Sequence, residues 1–462
     1  MKNALLLILL ALANSLFSQR STSDFVFTIN GNSYTLFVDP SSMSIDIDWE
    51  DDGVFDTTFV NQTLTHQYAQ SGNHTIRIRG FYSRMVPASI NLQNAAKVVS
   101  VDQWGDAAWT NMASMFSGCQ NITAWPLDTP NTSQVTDFGS MFYNCSNFNE
   151  PLNHWDISSA TDLSYMFYGC SNFNQPLSSW DVSNVTDMSS LFQAASSFNQ
   201  TLNSWDVSSV TSLSYTFAAA TSFNQPLNNW DVSAVTDMTG TFRGAINFNQ
   251  ALNNWDVFGV TSMGNMFNNA LSFNQPIDSW NTSTVTFMTW MFRDARSFNQ
   301  ALHHLDFSNF NQGSFYHFLD NTSMSVANYD SLIIHLWNTI PNRMDILGAA
   351  GLEYCASDSI RNLLIGSGWS FVGDSLNCLP VGIEDESSKV DFLLYPNPAS
   401  EQLNISFSNF QNQVVRIFNQ EGRLVRELEI NASEMELDVS TWSNGIYFLQ
   451  AGKKSRKFMV RH

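Results

Sequence analysis

The 462-residue sequence is poor in positive charge and has no lysine between Lys97 and Lys389. It contains 20 lysines and arginines against 41 aspartates and glutamates, a formal net charge of −21. Nucleic acids and anionic membrane surfaces bind proteins through clustered cations, so neither is expected as a partner for most of the chain. The last fifty residues differ, because they hold eight lysines and arginines.

Long apolar runs and catalytic motifs are also scarce. The first 19 residues, with Lys2 before an apolar run from Ala4 to Ala13, predict a secretory signal peptide over residues 1–18. No later segment has 18 uninterrupted apolar residues, so we expect no transmembrane helix. The motifs H-E-x-x-H, G-x-S-x-G and C-x-x-C and a phosphate-binding glycine loop are missing. The sequence therefore predicts an exported protein that is not an enzyme.

Cysteine is rare, and the five residues fall into two sets. One set occupies a single position of a repeat, where later copies have alanine: Cys119, Cys145 and Cys170. A position that accepts Cys or Ala favours a small buried side chain over a metal ligand. Cys355 and Cys378 lie outside the repeats, and we predict a structural disulfide between them in an oxidising compartment.

What the sequence does contain is a repeat of 25 residues, with the pattern LxxWDVSxVTxMxxMFxxxxxFNQP. Its most visible marker is tryptophan: Trp155, Trp180, Trp205, Trp230, Trp255 and Trp280. The segment Leu-x-x-Trp-x-Val has the spacing of a leucine-rich-repeat strand, and Val-Thr-x-Met-x-x-x-Phe predicts a helical turn opposite it. Since one short unit cannot bury its apolar face alone, the units should stack into a solenoid over residues 89–322, with the indole rings inside.

The repeat FNQPLxxWDVSxVTDMxxMFxxCxxFNQP resembles that of BspA-like leucine-rich-repeat surface proteins of bacteria, over about residues 105–310. The resemblance implies attachment to a host, a matrix or neighbouring cells. The predicted fold is mainly β with short helices, a leucine-rich-repeat-type solenoid flanked by N- and C-terminal β-sandwich domains.

Residues 19–88 contain short β-branched and aromatic runs separated by turn signals, which predict a small antiparallel β-sandwich. The order IDIDWEDDG, HQYAQSG, HTIRIRG resembles a PKD-like module, with WEDDG in place of the family's WGDG. The same loop approximates the start of a calcium-binding loop, D-x-D-x-D-G, through Asp48, Glu50, Asp52 and Asp56. Position twelve is Phe59 instead of glutamate, and an acidic hairpin turn is the alternative to calcium.

C-terminal to the repeats, two segments with helical spacing predict an α/β cap over residues 323–380. Residues 381–391 have the composition of a linker. Residues 392–462 contain YPNPAS, EGRLV, DVSTWSNGIYF and a basic last strand. This set closely resembles the C-terminal sorting domain of type IX secretion. The resemblance implies the type IX machinery as a partner of residues 392–462 and a location outside the outer membrane of a Gram-negative cell, often with removal of the domain and attachment to the surface.

Stacking would place one aspartate of each unit in a row, here called the aspartate stripe: Asp156, Asp181, Asp206, Asp231 and Asp256. At a strand spacing of about 4.8 Å, two carboxylates repel by about 0.9 kcal/mol in water and about 3.5 kcal/mol at an effective dielectric of about 20. Three compensations are open: bridging cations or ligands, hydrogen bonds from serine or backbone N–H groups, and screening by water and salt.

The leading functional hypothesis is a surface-displayed adhesion protein whose solenoid binds an extracellular protein or glycan through the aspartate stripe. The alternative is a structural component of the cell envelope without a soluble ligand. A hydrolase is the third class, and no motif in the sequence supports it.

Overall fold

The computed structural model describes residues 23–38, 45–59, 63–80, 85–86, 92–378, 392–407, 413–420, 422–430, 432–451 and 454–462. The expected signal peptide and the linker at 381–391 lie outside the described residues. The chain divides into two compact units, one ending at Asn377 and one running from Cys378 to His462. Neither unit contains, in its described part, a helix with the length and apolarity that crossing a membrane requires.

The first unit begins with one antiparallel sheet and a short helix. The sheet contains β1 (Phe25–Val38), β2 (Ile45–Asp48), β3 (Thr57–Phe59), β4 (Thr63–Gly80), β5 (Met85–Val86) and β6 (Val98–Gln103), and helix α1 is Leu92–Ala95. The strand order is β3-β2-β4-β1-β5, and β6 also pairs with β1. The described strands thus form a single hydrogen-bonded sheet, whereas two facing sheets were predicted for residues 19–88.

This sheet has no core of its own, because its buried side chains belong to the same apolar core as the repeats. The ring of Phe25 lies 5.4 Å from Trp104 and 5.5 Å from Trp109, between centroids. Strand β6 lies beyond the predicted boundary at residue 88 and pairs with β1 at Val26 to Ile29. The sheet therefore covers the open end of the first coil, a role that local spacing along the sequence does not reveal.

Residues 104–325, all described, form stacked coils of turns with no α-helix or extended strand. Adjacent coils are joined by parallel bridges at one position per repeat: Asp137, Asp162, Asp187, Ser212, Asp237, Ser262 and Phe287. The predicted strand at Trp-Asp-Val and the predicted helical turn after it are both wrong. The backbone hydrogen bonds between coils lie mainly in the segment that was expected to be helical.

Residues 161–170 show how this segment is built. The N–H groups of Leu163, Tyr165 and Phe167 donate to carbonyls of the next coil at 2.8–3.1 Å. Two residues per coil have left-handed backbone angles, such as Tyr165 with φ 57° and Gly169 with φ 71°. These angles wind the chain into successive tight turns. Alternate N–H groups therefore point along the stacking axis and donate to the next coil, whereas in a helix they would donate within the same segment. We call this row of hydrogen bonds and the surface around it the ladder face.

Side chains add two more rows of hydrogen bonds. On one row, each asparagine of the Phe-Asn-Gln motif accepts from the backbone N–H of its counterpart in the next coil at 2.8–3.0 Å. The same oxygen also accepts from the glutamine side chain of the next coil at 2.9–3.1 Å; for example, the Gln225 amide donates to Asn199. On the other row, each indole N–H from Trp180 to Trp280 donates to a leucine carbonyl of the preceding coil at 2.9–3.0 Å.

The core consists of aromatic stacks that run along the array. The six repeat tryptophans are only 2–3% exposed, which confirms the prediction that their rings are internal. One phenylalanine row stacks with centroids 5.6–5.7 Å apart: Phe142, Phe167, Phe192, Phe217, Phe242, Phe267 and Phe292. These ring contacts add to the burial of apolar area, so each coil stabilises both of its neighbours.

The closing segment contains α2 (Val326–Thr339), β7 (Ile346–Gly348), β8 (Glu353–Tyr354), α3 (Asp358–Gly366), β9 (Ser370–Val372) and β10 (Ser375–Leu376). It continues the asparagine row and the backbone ladder of the last coil. Ser325, the N-cap of α2, donates its N–H to the Asn299 side chain at 2.7 Å, and Asn328 takes the glutamine's place at 3.0 Å. Leu319 of the last coil donates its N–H to Gly348 in β7 at 2.9 Å. The segment thus covers the second end of the array.

Cys355 and Cys378 are disulfide-bonded, as predicted, while Cys119, Cys145 and Cys170 are buried and free. The Cys145 thiol donates to the carbonyl of Phe116 and the Cys170 thiol to that of Phe142, both at 2.9 Å. Burial raises the pKa of all three thiols. They are small core side chains, in agreement with the alanines of later repeats.

The second unit contains two antiparallel sheets around one core. One sheet is β11 (Phe392–Tyr395), β12 (Gln402–Phe407) and β15 (Glu434–Asp438), and the other is β13 (Gln413–Asn419), β14 (Leu424–Ile430), β16 (Gly445–Ala451) and β17 (Lys454–Val460). The YPNPAS segment fixes the last strand, because Asn397 accepts from the Met459 N–H at 2.8 Å and Ala399 pairs with Val460. Two sheets around one core are what the sequence predicts here.

The asparagine row yields a test of the stacking. Replacing Asn199 by alanine removes the acceptor of two donors in the next coil, Asn224 N–H and the Gln225 amide. We expect Asn199→Ala to lower the free energy of unfolding by about 1–3 kcal/mol. The matched control is Asn254→Ala, an exposed asparagine, with an expected change within about 0.5 kcal/mol. Urea unfolding followed by tryptophan fluorescence measures both, and equal effects would contradict this role of the row.

The free cysteines yield a second test. Because Cys119, Cys145 and Cys170 are fully buried with raised pKa values, they should resist alkylation by iodoacetamide in the native protein and react after denaturation without reductant. Mass spectrometry should count three labels, with Cys355 and Cys378 unlabelled. Rapid labelling of the native protein at the repeat cysteines would show that the coils do not enclose them.

Candidate binding surfaces

The aspartate stripe lies on the surface, where every member is exposed. Each aspartate accepts from the backbone N–H two residues later at 3.0–3.1 Å. In three coils a serine hydroxyl donates to the same oxygen, as Ser208 does to Asp206 at 2.6 Å. The aspartates therefore close local turns, which was one of the three predicted compensations for their mutual repulsion.

These hydrogen bonds lower the pKa of several aspartates in the stripe. The serine hydroxyl and then its N–H hold the pKa of Asp156, Asp206 and Asp231 below the usual value. The charge of Asp206 acts in the opposite direction on the pKa of Asp231, but the hydrogen bonds from Ser233 outweigh it. Local hydrogen bonds thus stabilise the anionic form of these three carboxylates.

The acidic loop brings three of the four predicted calcium ligands together. Oxygens of Asp48, Glu50 and Asp56 lie within 4.8 Å of one another, the only such group of three among the residues that the structure describes. Asp52 is not part of this group, and its carboxylate accepts from the Val54 N–H at 2.8 Å. The D-x-D-x-D-G pattern is therefore not arranged around a single point.

The buried Asp48 is committed to the backbone, since its two oxygens accept from the N–H groups of Asp52 and Gly53 at 3.2 and 2.9 Å. Burial raises the pKa of Glu50, and the neighbouring Asp56 raises it further, while His66 at 3.1 Å opposes both. Asp48 and Asp52 close backbone turns of the acidic hairpin, and calcium binding by this loop stays a prediction.

The ladder face is the surface that the sequence did not mark as functional. Its residues include tyrosines that contact one another: the rings of Tyr143 and Tyr168 stack at 4.6 Å, and Tyr165, 42% exposed, lies 6.1 Å from Tyr168. Trp290 continues the same backbone position as Tyr165 and lies beneath the guanidinium of Arg293 at 5.1 Å. The signal was present as sequence variation, because these positions change from copy to copy while the tryptophan, phenylalanine and asparagine positions do not.

The aspartate stripe gives a test that separates hydrogen bonding from charge. In the coil after Asp256, Asn281 takes the position of the aspartate. It keeps both hydrogen bonds, from the Ser283 N–H at 3.1 Å and from the Ser283 hydroxyl at 2.7 Å. We therefore expect Asp206→Asn to keep the stability at pH 7 within about 0.5 kcal/mol, and Asp206→Ala to lose about 0.5–1 kcal/mol.

The same variants have an expected pH dependence. A lowered pKa stabilises the fold above the unfolded value near pH 4, and this contribution is lost as the pH falls through the folded value. Urea unfolding between pH 3 and 7 should show a smaller acid loss for Asp206→Asn than for the wild type. If Asp206→Asn is as damaging as Asp206→Ala at pH 7, the charge itself is needed, as a bound cation would require.

Comparison with known proteins assigns two parts of the chain. Residues 110–230 and 211–329 match the family described as Mycoplasma protein of unknown function, DUF285, so the array consists of repeats of that kind. No curated protein and no solved structure matches the chain. Residues 393–461 match the secretion system C-terminal sorting domain. The chain therefore carries a type IX sorting domain, which indicates interaction with that secretion machinery, secretion and attachment at the cell surface.

Proposed function

We propose that this protein is a secreted adhesin, a surface-displayed binding protein that uses its repeat array as a rigid platform for an extracellular protein or glycan and has no catalytic step. The observation that supports this most is the combination of the sorting domain with an array whose coils are joined on several sides. Such an array holds surface side chains at fixed spacing, which lowers the entropy cost of binding.

The family relationship proposed for the array is to BspA-like leucine-rich-repeat proteins. The 25-residue period and the stacked coils support it, while the position of the ladder differs from that of a leucine-rich repeat. A PKD-like origin of the N-terminal sheet remains part of the proposal and has the weaker support, because the described strands form one sheet.

The alternative is a structural component of the envelope, and both proposals have the same export route. They differ in what the purified chain does in solution. An adhesin binds an isolated ligand with saturation, whereas an envelope component acts through its neighbours at the cell surface. The aromatic side chains on the ladder face favour the adhesin, because exposed aromatic rings on a rigid surface are typical of binding sites.

The test uses the full chain without residues 1–18, applied to arrays of glycans and of extracellular matrix proteins, with calcium and with EDTA. We expect saturable binding to at least one component and equal binding in both buffers, since the proposed surface needs no cation. The control is the same chain unfolded in urea and reduced. Absence of binding to every component, with a deletion strain that shows altered envelope order and unchanged adhesion, would contradict the proposal.

A further inference from the structure

The coils vary at several surface positions, and one of these positions lies on the ladder face. The tryptophan, phenylalanine and asparagine positions are nearly constant from coil to coil, and each has a structural role in the core or in a row of hydrogen bonds. At the first left-handed position of the ladder face the residue changes with every coil: Ser140, Tyr165, Ser190, Tyr215, Gly240, Asn265 and Trp290. All seven have φ values of 56–62°. The backbone conformation at this position is therefore compatible with several residue types. A position that varies between small and aromatic side chains on a rigid surface is a candidate for ligand contact.

Two positions on this face have glycine because an aromatic ring lies against the backbone there, and not because the backbone angle requires it. A Cβ added to Gly240 would lie 2.5 Å from Cε1 of Tyr215, and one added to Gly264 would overlap the ring of Phe287. The backbone angle does not require glycine at 240, because Ser190 and Tyr215 adopt it in their own coils. The matching positions of Gly264 include Ser189, Ser214 and Thr239, so glycine is dispensable there as well.

The two glycines are direct neighbours, since the Gly240 N–H donates to the Gly264 carbonyl at 2.8 Å. Tyr215 reaches this pair from the preceding coil, and Phe287 reaches it from the following coil. Both rings are thus held against the backbone of adjacent coils, and Phe287 remains 42% exposed. We name these two rings on their two glycines the aromatic platform.

The surroundings of the aromatic platform select the class of ligand. Residues 104–325 contain three arginines and no lysine, which disfavours sulfated or uronic polymers, nucleic acid and phospholipid. The large exposed apolar residues of this part of the chain are few and scattered: Leu127, Tyr165, Phe258, Phe287 and Tyr316. Their small number disfavours a protein partner that binds through a large contiguous apolar patch. Single rings among hydroxyl and amide side chains suit the apolar C–H face and the hydroxyl rim of an uncharged sugar.

We propose that the aromatic platform, Tyr215 on Gly240 and Phe287 on Gly264, is a binding site for a neutral polysaccharide. This inference rests on the proposed adhesin function and gives it a surface and a ligand class. It also moves the site from the aspartate stripe, whose side chains close turns, to the ladder face.

The test measures binding of the full chain without residues 1–18 to three soluble neutral polysaccharides, a β-glucan, an α-mannan and a xylan, by affinity electrophoresis and calorimetry. We expect at least one to bind and Tyr215→Ala and Phe287→Ala each to weaken binding about tenfold or more. Tyr215→Phe keeps the ring and should retain binding. Gly240→Ala displaces the Tyr215 ring and should weaken binding although both rings are present.

Phe258→Ala is the matched control, because Phe258 is 55% exposed beside the aspartate stripe, and Asp206→Asn is the second control. Both should bind as the wild type does. Loss of binding in these variants with unchanged binding in Tyr215→Ala and Phe287→Ala would overturn the site. Binding to a matrix protein but to no neutral polysaccharide would overturn the ligand class and leave the adhesin function intact. Binding to neither would overturn both.

Discussion

The structure depends on hydrogen bonds that run from one coil to the next. A coil of about 25 residues has too little apolar area to stay folded alone. Every second backbone N–H group of its ladder face, such as those of Leu163, Tyr165 and Phe167, donates to the next coil and not within its own. The next coil supplies these carbonyls, the preceding coil supplies the asparagine oxygen, and both neighbours stack on the aromatic rings. Each coil is therefore stable only between two others, and the ends require the N-terminal sheet and the closing segment.

This constraint explains which residues are free to act. Asn199, Trp205 and Phe217 are fixed by the coil beside them, and Asp206 is fixed by its own turn. Among the side chains that remain free are those at the left-handed positions of the ladder face, where serine, tyrosine, asparagine and tryptophan all adopt the same backbone angle. A surface that varies on a rigid scaffold is suited to recognition, and the sorting domain places it outside the cell.

The sequence predicted features that follow from periodicity and composition. The period of 25, the buried tryptophans, the small position shared by Cys145 and the alanines, and the Cys355–Cys378 disulfide depend on residue type and spacing alone. The left-handed residues were not predictable, because tyrosine, serine and tryptophan rarely adopt such angles and do so here only because neighbouring coils hold them. For the same reason the apolar spacing of Met and Phe suggested a helical turn. The pairing of β6 with β1 joins residues about 70 positions apart and has no local signal.

The most direct test of the central claim is hydrogen–deuterium exchange of the native chain, read by mass spectrometry on peptides from the middle of the array. The ladder predicts slow exchange for the amides of Leu163, Tyr165 and Phe167, which donate to the next coil, and faster exchange for Asp181 to Asn184 in the aspartate stripe. Slow exchange in the Trp-Asp-Val segment together with fast exchange at residues 163–167 would contradict the account, since it would place the strand where a leucine-rich repeat has it.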